Sequence, residues 1–538
     1  MMRPLAFLGD SRNPDLWPAA RNRLLPGYCV VVLIGALLFG CAGPQIAPFE
    51  PPAPVFALEP ARDGILAEFA ERFVASHEAS ESGYRLLDSN EDGLRWRLVL
   101  IDSAKYSIDA QYYLWYGDAA GRILAKHLID AADRGVRVRL LVDDLNTMLV
   151  DAATVALRDD IAARLDSHPN IELRLFNPWS YRKLGGRIRE SLGDVSRVNQ
   201  RMHNKSLIVD NRAVVIGGRN LGDEYMGLNA EFNFRDLDVL GIGPVAPSTS
   251  AIFDDFWNSE WVAPASMLNV QVSPDERMQL YVELDRAIRQ TTSLQEFPPD
   301  PRDWTKEVAD LEGQLQPGTA EVYSDRPVSP DIEHVMLERI DALIDEAQQE
   351  LLIENAYIIP SDRGITRLRR LHDKGVGIRI LTNSLASHDV PAVNSHYKKW
   401  RKPIIGAGAE LYELRHDPAI QEAVSDSDPV SARFAGLHSK AMVVDRRKIY
   451  IGSMNYDPRS ALINTEMGVF IDSPGLGEQL AQLIERDMQP SNSWQVTLDA
   501  AGKLVWSNDV DEVRRQPARS WWQRVEDVFF MAFPKEMY

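Results

Sequence analysis

RMHNKSLIVDNRAVVIGGRN at positions 201–220 and GLHSKAMVVDRRKIYIGSMN at 436–455 are one pattern written twice. His203, Lys205, Asp210, Gly217 and Asn220 meet His438, Lys440, Asp445, Gly452 and Asn455 at a constant offset of 235 residues, and Glu231 meets Glu466 at the same offset. In the first copy two apolar, β-branched runs, 206–210 and 213–216, flank the polar pair Asn211-Arg212, which predicts a β-hairpin. Residues two apart share a face of a strand, so His203 and Lys205 project together while Asn204 points away, and His438 and Lys440 do the same. Gly217-Gly218 and Gly452 then allow a sharp turn that returns Asn220 and Asn455 towards their histidines.

An imidazole, an ammonium and an amide thus converge twice. Lysine and asparagine donate hydrogen bonds to the non-bridging oxygens of a phosphate, and histidine can attack phosphorus. A two-step displacement needs one histidine neutral, to attack, and one protonated, to release the alcohol; both states are accessible near neutral pH. Lysine is a poor metal ligand at that pH, so the motif speaks against a metal centre. One His-x-Lys pair alone is ordinarily a strand face, whereas two copies sharing Asp, Gly, Asn and Glu form a constellation with a chemical purpose. Asp210 and Asp445 sit at turns, where a carboxylate either joins the chemistry or ties down backbone. Glu231 and Glu466 either orient the histidines, as a carboxylate does in a triad, or are solvated.

The duplication extends upstream. AADRGVRVRLL (131–141) parallels LHDKGVGIRIL (371–381), each a helix end, a glycine turn and a buried strand, and Tyr113 and Tyr357 end an earlier strand in each half. The pattern is α/β: two similar domains, each a mixed β-sheet flanked by helices, facing each other across a pseudo-two-fold axis. We place them at 61–265 and 321–490, with a linker at 266–320, a proline-rich crossover over 291–330 and a C-terminal extension at 491–538. In that extension Trp521, Trp522, Val525, Phe529, Phe530 and Phe533 fall mostly on one helical face, suited to packing on the domain or to a membrane interface.

With 538 residues, 45% hydrophobic and 25% charged, the chain is a folded protein too long for one ordinary core. A net charge of -19 repels polyanions, so a phosphate site must be a local basic cleft, and a nucleic-acid partner is disfavoured. Both cysteines, Cys29 and Cys41, lie near the N-terminus, which leaves none for disulfides or zinc in the folded body. Arg3, Arg12, Arg21 and Arg23 precede an apolar run at 28–41, the order of an export signal. The run is roughly 14 residues, short of the ~20 that cross a bilayer. Leu38-Phe39-Gly40-Cys41 resembles a bacterial lipobox with Cys41 as the lipidated residue; the alternative is an uncleaved anchor. Proline-rich 42–60 reads as a tether in either case.

At these residues the chain resembles the phospholipase D superfamily, whose mark, H-x-K-x4-D followed by Gly-x-x-Asn, is present twice. DAQYYLW (109–115), RGVRVRLL (134–141), DSHP (166–169), RLFNP (174–178) and RMHNKS (201–206) narrow the resemblance to bacterial cardiolipin synthases of the C type. The resemblance implies two phospholipase D-like domains and a cofactor- and metal-independent transfer through a phosphohistidine. In the family the first-motif histidine is usually the nucleophile and the second the acid and base, which maps to His203 and His438; sequence symmetry by itself does not choose. Lys205, Lys440, Asn220 and Asn455 would hold the phosphoryl oxygens. The implied substrates are phosphatidylglycerol and phosphatidylethanolamine at a membrane surface, and the lipobox reading puts the body in the periplasm or outside. A phospholipase D releasing phosphatidic acid stands beside the synthase reading, with a nuclease behind both. Two basic clusters, Lys398/Lys399/Arg401/Lys402 and Arg182/Lys183/Arg187/Arg189, are either the mouth of the cleft or solvated loops.

Overall fold

A computed structural model describes residues 52–144, 154–182 and 184–532. The N-terminal segment with Cys29 and Cys41, together with Lys183 and Phe533, lies outside them. Among the described residues, eighteen strands join into one continuous sheet. From its outer edge the first half runs Val262–Pro264, Ile171–Phe176, Arg137–Asp143, Ser107–Tyr112, Ser206–Val209, Ala213–Gly217, Asp238–Ile242 and Glu81–Leu87. The second half repeats this order outward from the centre: Gln316–Ser324, Met467–Asp472, Lys448–Gly452, Lys440–Val444, Glu350–Asn355, Gly377–Asn383, Glu410–Leu414 and Ser493–Leu498. In each half the three strands before the hairpin are parallel and the rest antiparallel. The pseudo-dyad falls between Glu81–Leu87 and Gln316–Ser324, which pair antiparallel with Glu81 opposite Thr319.

The upstream repeat folds as its sequence predicts. Helices Ala119–Asp133 and Asp362–Asp373, capped by the side chains of Asp118 and Ser361, end at Gly135 (φ 94°) and Gly375 (φ 90°). A left-handed residue there closes the last turn and aims the chain into the next parallel strand. One face of the sheet is covered by Val245–Trp257 and Pro474–Asp487, whose Phe253, Trp257, Leu480 and Ile484 share a core with strand residues from both halves. The other face carries a separate core for each half. Burial across the dyad is therefore common to both domains, and the two histidine-bearing segments meet over a rigid sheet.

Three segments carry detail beyond what the sequence suggests. Within the linker at 266–320, helix Pro274–Gln290, opened by a Ser273/Glu276 capping box, buries Leu280, Leu284 and Ile288 on the first half. That stripe of every fourth residue, interrupted by charge, is too sparse to announce itself in the sequence. The end of the same segment enters the central strand. Of the expected tether, residues 52–60 are docked rather than loose: the N–H groups of Val55 and Ala57 donate to Asn258 (2.9 Å) and Asp254 (2.8 Å). The C-terminal helix Trp521–Phe529 buries its polar side, Gln523 and Asp527, and holds Trp521 and Trp522 outward. No helix among the described residues is long and apolar enough to cross a membrane.

Candidate active site

Both motif histidines line one cavity of about 700 Å³ at the junction of the halves. That volume lies within the ~300–1,000 Å³ of small-molecule sites. Each histidine stands in an extended segment beside the hairpin, and each is held by the opposite half. The His203 N–H donates to the Thr465 carbonyl (2.9 Å) and the His438 N–H to the Arg235 carbonyl (2.8 Å). Strands Phe232–Arg235 and Phe434–Leu437 pair in parallel across the junction and deliver the second histidine. The residue after each of those carbonyls is an acid. Glu466 Oε2 lies 2.8 Å from His203 Nδ1, and Asp236 Oδ2 lies 2.6 Å from His438 Nδ1. With Nδ1 bound to a carboxylate, Nε2 of each imidazole is left for chemistry.

Asp236 is the residue that the repeat misassigned. At the constant offset Glu466 matches Glu231, but Glu231 is exposed and His438 takes its carboxylate from Asp236 instead. Strand register supplies the equivalence that the offset does not. Gly217 pairs with Asp238 and Gly452 with Gly468, so Asp236 and Glu466 each stand two residues before the partner of a matched glycine. The first half carries five extra residues between its asparagine and its acid. Gly218 makes room for this arrangement: a Cβ there would meet Asp236 Oδ1 at 2.2 Å.

The motif aspartates are not at the cavity. Asp210 and Asp445 occupy left-handed turns (φ 53° and 52°) at the far end of their strands, roughly 17 Å from the lysines at ~3.3 Å per residue. Asp210 accepts the N–H groups of Lys105, Tyr106 and Ser107 at 2.7–2.9 Å, and Asp445 those of Gln348, Gln349 and Glu350 at 2.8–3.0 Å. Each ties its hairpin to the start of a neighbouring parallel strand, the backbone-tying alternative of the two that the turn position allowed. Lys205 and Lys440 are buried behind the histidines, each ammonium donating to the carbonyl of its own motif histidine (2.6 Å for Lys205) and each near a tyrosine ring, Tyr113 and Tyr357. Asn204 points away, as alternation predicts, to Ser324 and Thr465. Asn220 and Asn455 line the cavity; the Asn220 oxygen accepts the Leu114 N–H at 3.2 Å, which turns its amide towards the Tyr225 oxygen and the cavity.

The electrostatics break the symmetry. Burial pushes the Glu466 carboxyl well above its usual range despite Lys205 and the Ser453 hydroxyl. Burial opposes charge on Asp236 too, but His438, Lys440 and Arg219 outweigh it and hold that carboxyl below its usual range. His203 is held well below its usual range by burial and then by Lys205, Lys440 and His438. His438 is lowered by burial and Lys440, against the opposing pull of Asp236. Burial also brings Lys440 down to about 8. Burial thus favours the neutral forms of His203 and Glu466, while the cations around Asp236 favour its carboxylate beside His438. An anionic phosphodiester entering between them raises the pKa values of all four basic groups.

Aromatic rings frame both imidazoles: Tyr113 is edge-on to His203 (4.8 Å between centroids), and Tyr225 and Phe234 flank His438 (5.1 and 4.9 Å). Glu224, Asp389, Asp457, Arg459 and Arg519, none of them marked by the repeat, also line the cavity. Desolvation pushes Glu224 up to about 7. The basic clusters contribute little to this wall. Arg182 is spent on Asp144 and Asp159, Arg187 is buried against Trp179, and Arg401 is buried on Glu413.

Residues 98–257 and 340–488 match the family described as cardiolipin synthase, PLD-like domain. Cardiolipin synthase C of Escherichia coli (strain K12) is 36% identical over 465 residues, covering 84% of this chain and 95% of that protein. Cardiolipin synthase B of Shigella flexneri is 24% identical, covering 84% and 87%. Among solved structures, phosphatidylserine synthase of Haemophilus influenzae Rd KW20 shares the fold, with a TM-score of 0.52 at 15% identity over 80% of this chain and 91% of that one. Two matched domains, each supplying one His-x-Lys motif and the carboxylate for the other's histidine, place this enzyme in the phospholipase D superfamily, within its cardiolipin synthase-like family.

Proposed function

We propose that the protein is a phosphatidyltransferase that passes a phosphatidyl group to phosphatidylglycerol through a phosphohistidine on His203. The observation that carries this is geometric: His203 and His438 line one cavity, and each has Nδ1 on a carboxyl of the opposite half, Glu466 at 2.8 Å and Asp236 at 2.6 Å, whose surroundings push them in opposite directions. In the first step His203 Nε2 attacks phosphorus, the bond to the head-group alcohol breaks, and His438 gives its Nε2 proton to the departing oxygen. The phosphoryl oxygens are met by the Asn220 and Asn455 amides and neutralised by Lys205 and Lys440 behind them; one such preorganised donor is typically worth ~10²–10³ in rate. In the second step neutral His438 takes the proton from a glycerol hydroxyl of phosphatidylglycerol, whose oxygen displaces His203 and completes the diester. The donor is phosphatidylglycerol or phosphatidylethanolamine, and the released alcohol is glycerol or ethanolamine.

Similarity to cardiolipin synthases favours a lipid alcohol over water as acceptor, and the aromatic cavity wall suits it. Product analysis with purified enzyme and phosphatidylglycerol tests this: cardiolipin and glycerol are expected, and phosphatidic acid as the only product would reduce the protein to a hydrolase. We further propose that the chain works at a membrane, held by its N-terminal segment through a lipid on Cys41. Palmitate incorporation that is lost in Cys41→Ser would support this, and unchanged incorporation would count against it.

A further inference from the structure

The C-terminal helix Trp521–Phe529 is built inside out. Its buried side is polar: Asp527 accepts from Asn394 (2.6 Å) and Lys398 (2.7 Å), and Gln523 donates to the Leu385 carbonyl. Its outer side is apolar, with Trp521 72%, Trp522 56%, Val525 42% and Val528 59% exposed. Positions 521, 522, 525 and 528 fall on one helical face, and the polar anchors keep that face from rolling inward. An oily surface fixed outward by buried hydrogen bonds is a designed feature, since exposing two tryptophans forfeits the burial that ordinarily stabilises them. Lys398 and Gln516 bond to Asp527 of the helix, and their chain neighbours Lys399 and Arg515 are exposed cations on a body whose net charge is -19. Exposed indoles on a helix docked through a lysine, with further cations next along the chain, match the interface of an anionic bilayer, where indole sits at head-group depth and cations meet lipid phosphates.

The helix also stands beside the site. It packs on helix Pro391–Tyr397, whose Val393 lines the catalytic cavity, and Arg519, two residues before it, lines the same wall. We propose that this face enters the interface of an anionic bilayer at the rim of the active-site cavity, so that a phospholipid head group passes from membrane to histidines without crossing water. The proposal rests on the phospholipid-transfer reading above.

The test uses the full chain reconstituted into vesicles of phosphatidylcholine and phosphatidylglycerol, with the double variant Trp521→Ser/Trp522→Ser. The N-terminal segment is expected to retain both proteins, so retention is not the readout. The parent-minus-variant emission spectrum isolates the two indoles. It should be blue-shifted and quenched by brominated acyl chains, and the variant should turn over vesicle lipid at least tenfold more slowly, by order of magnitude for two interfacial indoles. Turnover of short-chain phosphatidylglycerol below its aggregation concentration should stay within about twofold, because neither tryptophan lines the cavity. An unquenched, water-like difference spectrum, or equal turnover of vesicle lipid, overturns the proposal. So does a blue shift already present without vesicles together with an oligomer that the variant dissociates, since a second copy would then cover the face. Failure of the transfer reading looks different: the parent would turn over neither lipid form, while the quenching result would still be readable.

Discussion

Replacing Asp236 with asparagine removes the larger of the two negative charges that favour protonated His438, the other being Asp389, while leaving shape and the hydrogen bond to the Leu237 N–H in place. The ring and carboxylate are 2.6 Å apart at their nearest atoms. With charge centres roughly 4 Å apart and an effective dielectric near 20, the pair is worth about 4 kcal/mol, or about three decades in the protonation of His438. Partial compensation by water reduces this, so kcat for alcohol release should fall ~10²–10³-fold. The pH dependence has a definite sign. His438 must be protonated to act and its pKa already lies below the usual histidine value of about 6.5, so kcat/KM should decline as pH rises through that region. Asp236→Asn lowers the pKa further, and that alkaline limb should move to lower pH. Glu466→Gln is the matched control: burial pushes its carboxyl up, towards the neutral form that an amide resembles, so the loss should stay within about tenfold. Rates of glycerol or ethanolamine release measured from about pH 5 to about pH 8 decide the matter. A mild Asp236→Asn with an unmoved limb, beside a severe Glu466→Gln, would refute the assignment of acid and nucleophile.

Asp210→Ala strands three backbone N–H groups and should cost about 2–4 kcal/mol in chemical denaturation, with per-molecule kcat of the folded fraction within about tenfold of the parent; a collapse of kcat with intact stability would return the aspartate to the chemistry. Glu231→Ala should leave kcat and KM within about twofold, because an exposed carboxylate away from His438 has no lever on it. Gly218→Ala drives a methyl group into Asp236, 2.2 Å from Oδ1, and should reproduce the Asp236→Asn pH shift with at least a ~10-fold rate loss, read in the same assay.

Much of this architecture was legible because it is duplicated. Two matching motifs announced two matching domains, and alternation along the strand correctly sent Asn204 away from the histidines. What stayed hidden depends on the third dimension. Each histidine's carboxylate comes from the opposite half, so no local pattern joins Asp236 to His438, and five extra residues in one copy displace the equivalence that a fixed offset assumes. Asp210 and Asp445 share their motif with the histidines and lysines at the cavity yet act on backbone at the other end of the strand. The asymmetry between the histidines is absent from the sequence altogether, because it arises from burial and from which cations surround each carboxylate. The C-terminal helix shows the opposite failing of pattern: an apolar stripe predicts a face but not whether that face turns inward.

The most direct test is where the phosphorus goes. Rapid quenching of enzyme and phosphatidylglycerol into alkaline denaturant, followed by peptide mass analysis, should find a phosphatidyl adduct on His203 and none on His438. An adduct on His438, or steady turnover with neither histidine ever modified, would contradict the account.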